Sequence, residues 1–405
     1  MRVRLLRAAV IVGLCAILCY GAFAFTLAGV MQTREPQAAL SWWNTNAEAG
    51  ALTAFQMLTS DRSPAAVARA RELAEAALRR EPVNVAAART MAVVSTLSGD
   101  GTKGEQYLIL AERLSRRDVA TQVMLLESEV RRNNIPGALL HYDRAMRVST
   151  DARETLLPIM VQAAAEPAIA NGVGRLLDPR PPWWFPFAEH LVSESNAPGS
   201  VIFLLGKLRL DPRNDRERSL VVLALRRMVE AGAFASAERL YRQTGGSAPG
   251  AGGNFVRNGG FDAPDLGLPP FDWLYVNESG LGAYRENDVA RGGFVLRLSA
   301  ETERSGEVAR QLLTLPPGHY RMDAVVGSAE AGSQSRLAVR CAGEGGAALV
   351  TLPFAVAGSA GAPLGGTFQV PAANCGAQWL SVGAGAAQAS GATQPWIDAI
   401  SVHRL

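Results

Sequence analysis

Enzyme chemistry needs a nucleophile, an acid–base pair or a metal held in place, and few residues of this 405-residue sequence offer one. Its four histidines, His141, His190, His319 and His403, are scattered without metal-ligand spacing. No Gly-x-Ser-x-Gly elbow, Cys-x-x-Cys pair or phosphate loop occurs; Gly99-Asp-Gly-Thr-Lys-Gly104 lacks the Gly-Lys-Ser/Thr ending and sits where a helix–helix turn belongs. A glycosidase-type carboxylate pair leaves no trace in sequence, because its members meet only in the fold. The expectation is a protein that is not an enzyme. Cysteine offers the remaining chemistry. Cys15 and Cys19 lie four apart inside an apolar run and read as small hydrophobes. Cys341 and Cys375 are the pair that an oxidising compartment would join, closing a loop of about 35 residues for ~4 kcal/mol in the chain-entropy model.

That compartment is set by the N-terminus. Ala8 to Met31 is uncharged, and a helix of that length, roughly 36 Å, would cross a hydrocarbon layer about 30 Å thick. Arg2, Arg4 and Arg7 precede it, whereas Arg34 on the other flank is offset by Glu35, so the bias keeps the N-terminus in the cytoplasm. Residues 1–35 are thus expected to be a cytoplasmic N-terminus and transmembrane anchor in the inner membrane, with the bulk of the chain on the periplasmic or extracytoplasmic side. The competing reading is a cleaved signal peptide ending at Ala22-Phe23-Ala24, against which Phe25 to Met31 prolongs the apolar run. Leu14-Cys15 and Leu18-Cys19 lack the small residue that precedes a lipoprotein cysteine. Trp42 and Trp43 read either as interfacial anchors or as the start of the first soluble helix.

Residues 36–243 are rich in Ala, Leu, Arg and Glu, with apolar positions three and four apart, as in the stripe Ala66, Ala70, Leu73, Ala74, Ala77 and Leu78. A turn recurs: Arg80-Glu81-Pro82-Val83-Asn84, Arg116-Arg117-Asp118-Val119, Ser149-Thr150-Asp151-Ala152 and Leu210-Asp211-Pro212-Arg213-Asn214. A period of about 34 marks helix-turn-helix solenoids. Ala76 to Ala88 and Ala231 to Tyr241 resemble tetratricopeptide repeats, a resemblance that implies a concave face for a protein partner. Residues 152–205 depart from it. Asp178 to Phe187 carries four prolines and reads as a break in the helices, with Trp183, Trp184 and Phe187 either an exposed aromatic patch or, as expected, a plug over the helical core.

Residues 244–253, containing Gly245-Gly246-Ser247-Ala248-Pro249-Gly250-Ala251-Gly252-Gly253, read as a flexible joint and domain boundary. Beyond them the period falls to two: Phe294, Leu296 and Leu298 alternate with Val295, Arg297 and Ser299, and Tyr320, Met322, Ala324 and Val326 with more polar neighbours. Short strands and many Gly turns over residues 254–405 point to an antiparallel sandwich. Here Asn254-Phe255-Val256-Arg257-Asn258-Gly259-Gly260-Phe261-Asp262, Pro270-Phe271-Asp272-Trp273 and Gln394-Pro395-Trp396-Ile397-Asp398-Ala399-Ile400-Ser401-Val402 resemble the opening and closing segments of jelly-roll carbohydrate-binding modules of families 4, 9 and 22, within the galactose-binding-like fold. The resemblance implies a structural calcium on Asp262 and Asp398; the alternative has Asp262 capping a turn and Asp398 paired with an Arg. It also implies sugar binding, for which rings stack on pyranose faces while polar groups meet hydroxyls. Trp273, Tyr275, Tyr284 and Arg285 are the candidates, with Trp379 and Trp396 expected in the core.

Ten Arg against thirteen Asp plus Glu give residues 254–405 a charge of −3, and no concentrated basic stripe suits a phosphate backbone, so nucleic acid is not an expected partner. The expected architecture is multidomain: a transmembrane helix, an all-α tetratricopeptide-like solenoid and a C-terminal all-β jelly-roll sandwich. The expected role is a non-catalytic envelope adaptor whose array docks a protein partner and whose sandwich holds a polysaccharide or oligosaccharide. The alternatives are a pure protein-interaction scaffold and, third, a polysaccharide-active enzyme.

Overall fold

The computed structural model describes residues 2–247, 253–264, 267–278, 280–289, 291–301, 304–329, 332–343, 345–385 and 394–405. Helices come first: α1 (Arg2–Met31), α2 (Pro36–Trp42), α3 (Ala47–Ser60), α4 (Pro64–Arg80), α5 (Val85–Leu97), α6 (Gly101–Leu114), α7 (Val119–Arg131), α8 (Ile135–Val148), α9 (Thr150–Ala163), α10 (Pro167–Leu177), α11 (Trp184–Glu194), α12 (Pro198–Leu208), α13 (Asp215–Glu230) and α14 (Phe234–Gln243). Strands follow: β1 (Leu274–Tyr275), β2 (Leu281–Asp288), β3 (Gly293–Ala300), β4 (Ser305–Leu313), β5 (Gly318–Gly327), β6 (Arg336–Cys341), β7 (Ala348–Pro353), β8 (Ala362–Val370), β9 (Gln378–Gly385) and β10 (Trp396–Arg404). The chain divides into two compact units, Met1–Leu156 and Leu157–Leu405.

In the first unit, α3/α4, α5/α6 and α7/α8 pack as helical hairpins. The recurring turns of the sequence are helix N-caps, where a side-chain oxygen satisfies an orphan backbone donor. Asn84 Oδ1 accepts from Ala87 N at 2.8 Å and Asp118 Oδ2 from Thr121 N at 2.9 Å. Asp118 also pairs with Arg89, a buried guanidinium on α5, linking consecutive hairpins. Burial alone would raise the Asp118 carboxyl; the Arg89 charge and the Arg89 and Thr121 hydrogen bonds outweigh it and hold it below its ordinary value. At the N-terminus, Ala9–Met31 is long and apolar enough to cross a membrane.

The second unit joins α10–α14 to the sandwich. Residues 178–183 do break the helices, but Trp184 to Phe187, expected to lie in the break, form the first turn of α11. Pro186 is tolerated there because the N–H it lacks would have no intrahelical partner. Trp183 and Phe187 are fully buried and meet edge-on at 5.9 Å, so these rings plug the core. The start of the Gly-rich run is tied down: Ser247 O accepts from Arg257 Nε at 3.1 Å, and Thr244 before it is buried at the end of α14. Residues 248–252 of that run lie outside the described residues.

The sandwich has two five-stranded antiparallel sheets, ordered β1-β4-β9-β6-β7 and β2-β3-β10-β5-β8. Leu296, Leu298, Tyr320, Met322, Ala324 and Val326 fill the core between them, as the period of two requires. The opening and closing segments meet. Gly259 O accepts from Ile400 N at 2.9 Å, and Asn254 Oδ1 from Val402 N at 3.0 Å. A Cβ on Gly259 would lie 1.9 Å from Ile400 O, so that approach admits only glycine. Cys341, ending β6, is bonded to Cys375 at 2.01 Å.

Candidate functional site

On β2 and β3 the residues between the core positions point outward. Tyr284 and Glu286 therefore share a face with Arg297, which lies opposite Tyr284 in the ladder and opposite Trp396 on β10. Tyr284 is 48% exposed. Its hydroxyl donates to Gln394 Oε1 at 2.8 Å, Arg297 Nη1 donates to the Gln394 carbonyl at 3.2 Å, and Arg297 also pairs with Glu286. An open aromatic ring is thus bordered by a carboxylate, a guanidinium and an amide in one network. That combination can stack on an apolar ring face while exchanging hydrogen bonds with hydroxyls.

The other candidates stand elsewhere. Trp273 is buried, its ring tilted against Phe261 at 5.4 Å and its Nε1 donating to Asn258 O at 3.1 Å. Tyr275 is half-buried against the sandwich core. Arg285 is half-buried over the Phe294 ring at 4.3 Å, with Nη2 donating to Asp262 O at 3.2 Å. Trp396 is buried, though outside the core between the sheets: it lies on the outer face of its strand beneath Arg291, whose guanidinium stands 4.5 Å from the ring centre. Trp379 is half-buried on the outer face of β9 beneath Arg310, 4.7 Å from its ring, so it is not a core residue. Tyr284 is thus the exposed member of the set, and it is not brought together with Trp273 or Tyr275. Glu286, Arg297 and Gln394 went unread in the sequence. The spacing of two from Tyr284 to Glu286 was the available signal; their meeting with Arg297 and Gln394 depends on the pairing of β2, β3 and β10.

Asp262 and Asp398 do converge, since a Cβ on Gly260 would lie 3.2 Å from Asp262 Oδ2 and 3.8 Å from Asp398 Oδ1. Three of their four carboxylate oxygens are already engaged. Asp262 Oδ1 accepts from Phe294 N at 2.9 Å, Asp398 Oδ1 from Ala399 N at 2.6 Å, and Asp398 Oδ2 from Arg291 Nη2 at 3.1 Å. Calcium takes six to eight oxygens, whereas here a guanidinium supplies the positive charge and no cluster of three metal-ligating side chains occurs among the described residues. Asp398 is half of an ion pair with Arg291, and the arrangement gives calcium no support.

In the first unit, α5 packs on α3, and a cleft of about 820 Å³ is lined by residues of α3 and of α5 to α8. Phe55, Leu97, Leu108 and Met124 line it, with Glu105 paired to Arg132 at its edge. His141, 6% exposed, also lines it, and its Nδ1 lies 2.7 Å from Gln122 Oε1. Burial pushes the His141 pKa down, against the opposing pull of Glu112 and Glu129, so the ring is neutral at pH 7.

No family model and no curated protein matches this sequence. Solved structures similar to part of the chain include one described as "CBM4 structure and function" (14% identity, TM-score 0.29, covering 37% of this chain and 99% of that one). Another is TmCBM61 in complex with β-1,4-galactotriose (14% identity, TM-score 0.27, covering 38% and 99%). A third is the enzymatically active domain of bacteriophage CBA120 tailspike protein 4 (12% identity, TM-score 0.29), of which this chain spans 21% while 38% of this chain is covered. The part of this chain that resembles the carbohydrate-binding modules is its C-terminal β-sandwich.

Proposed function

We propose that this chain is a non-catalytic, membrane-anchored adaptor whose β-sandwich binds a polysaccharide or oligosaccharide and whose tetratricopeptide-like array docks a protein partner, in polysaccharide assembly or export. Arg2, Arg4 and Arg7 stay on the cytoplasmic side, α1 crosses the inner membrane once, and the rest of the chain lies on the exported side. The observation that carries the sugar-binding reading is the open Tyr284 ring in its network with Glu286, Arg297 and Gln394. The cleft between helical hairpins supports the docking role, since its apolar walls and charged edge suit a peptide segment.

The test is a glycan array probed with the full chain in detergent, first with calcium and then with chelator. Selective binding that Tyr284→Ala weakens by about 1 to 3 kcal/mol supports the reading, by analogy with bases stacked on aromatic rings. Loss of that binding on chelation would return calcium to Asp262 and Asp398. A blank array from folded protein would leave the sandwich as a protein-interaction module and the whole chain as a scaffold.

A further inference from the structure

The exported end of α1 is part of the helical array. Gly21, Ala24, Leu27, Ala28 and Met31 recur at spacings of three and four and form its buried or half-buried stripe. Ala28 packs with Ala39 and Ala49 in a small core completed by Met31, Leu40 and Trp43. Residues 32–35 reverse the chain, and α2 returns beside α1. Trp42 then meets Phe23 edge-on at 6.0 Å, and Trp43 meets Phe25 at 5.6 Å. Asn46 ties the end of this hairpin to the next helix: it caps α3 through Ala49 N at 2.9 Å and donates to Gln32 Oε1 at 3.2 Å. From Ala9 to Tyr20, by contrast, every side chain of α1 is exposed.

These contacts shorten the part of α1 that faces lipid alone. The apolar helix Ala9–Met31 has 23 residues, but from Ala24 onward one face is covered by α2 and α3. Ala9 to Phe23 measures roughly 22 Å at 1.5 Å per residue, less than a hydrocarbon layer of about 30 Å. A bilayer spanned by α1 therefore reaches the level of the Phe23–Trp42 contact. It also covers Phe25, which is 62% exposed beside Trp43. Indole suits that depth, with an apolar ring for the acyl boundary and an N–H for the headgroups, and Trp42 is 40% exposed.

We infer that α1 and α2 form a membrane-docking hairpin whose Trp42 and Trp43 sit in the lipid headgroup boundary on the exported side, so that the array stands directly on the bilayer. The inference rests on the reading of α1 as a retained span. Cleavage after Ala24 would cut inside the packed stripe and remove Phe23 from Trp42.

The full chain is reconstituted into phosphatidylcholine vesicles whose acyl chains carry bromine near the headgroups, and tryptophan emission is compared with that of the W42F/W43F variant. Phenylalanine keeps a ring against Phe23 and Phe25. The expected result is quenching by brominated lipid in the parent chain and loss of that quenchable component in the variant. Should the double variant melt early, W42F and W43F singly give the same comparison, each losing part of the component. Equal quenching in parent and variants, with an intact mass that includes residues 1–24, would overturn the docking and leave the span. A mass beginning at Phe25 would overturn both.

Discussion

Tyr241 on α14 donates its hydroxyl to Asp272 Oδ1 at 2.6 Å, joining the last helix to the segment that leads into β1. The contact is the centre of a buried polar joint. Arg257 lies over both Tyr241 and Phe271, at 5.1 and 5.4 Å from their ring centres, and Asp272 Oδ2 accepts from Leu268 N at 3.0 Å. Glu238, near Arg257 at 3.7 Å, also accepts from Thr314 Oγ1 at 2.9 Å. Tyr241 and Glu238 of α14 thus meet Arg257, Asp272 and Thr314 within the second unit.

Tyr241→Phe should therefore destabilise the second unit by about 1 to 3 kcal/mol, because the ring packing is kept but a buried carboxylate loses a donor. Burial, then the hydrogen bond and charge of Asp272, push the Tyr241 phenol well above its ordinary value. The sign follows: above about pH 10 the unfolded chain ionises first, so this part of the stability is lost as pH rises. Thermal melts of parent and variant should differ most near neutral pH and converge in alkali.

The neutral, buried His141 makes the first unit acid-sensitive. Its folded pKa is depressed, so below about pH 6.5 the unfolded chain binds the proton first and stability falls with pH, by at most about 1.4 kcal/mol per pH unit. Protection factors of the amides in α7 and α8, which divide out the slowing of intrinsic exchange in acid, should fall between roughly pH 7 and 5. His141→Asn should flatten that slope, whatever it does to stability at neutral pH.

Reducing Cys341–Cys375, 34 residues apart, should lower the sandwich's stability by about 4 kcal/mol in the chain-entropy model. The check is a melt of the Cys341→Ala/Cys375→Ala variant beside the parent under oxidising conditions; equal melting temperatures would contradict the assignment of a structural role.

Two glycines should part ways. Gly259→Ala drives a methyl into Ile400 O and should cost about 1 to 3 kcal/mol as the opening segment shifts from β10. Gly358→Ala meets nothing within 4 Å and should be near neutral. Denaturant midpoints of the two variants provide the comparison.

Calcium supplies a further contrast. With Arg291 holding Asp398 at 3.1 Å, the melting temperature of the full chain should be the same in calcium and in chelator. Arg291→Ala should lower it, by releasing both Asp398 and the cover over Trp396.

Much of this protein is local in origin and so was readable along the chain. The apolar run of α1, the period of about 34 carried by caps such as Asn84 and Asp118, and the alternation of Tyr320, Met322, Ala324 and Val326 each follow from neighbours a few residues apart. Charge, capping and burial period need no distant partner. Cys341 and Cys375 were likewise readable as a pair, because no other cysteine lies beyond the apolar run. Tertiary structure alone decided what required pairing across the fold. Trp396 and Trp379 look equally strand-like, yet the first is covered by Arg291 from another loop and the second stays half-open beside Arg310. Asp398 acquires its partner 107 residues away, and Tyr284 meets Gln394 across 110. A side chain's surroundings in a sandwich are set by which strands lie beside it, and strand order leaves no periodic mark on a sequence.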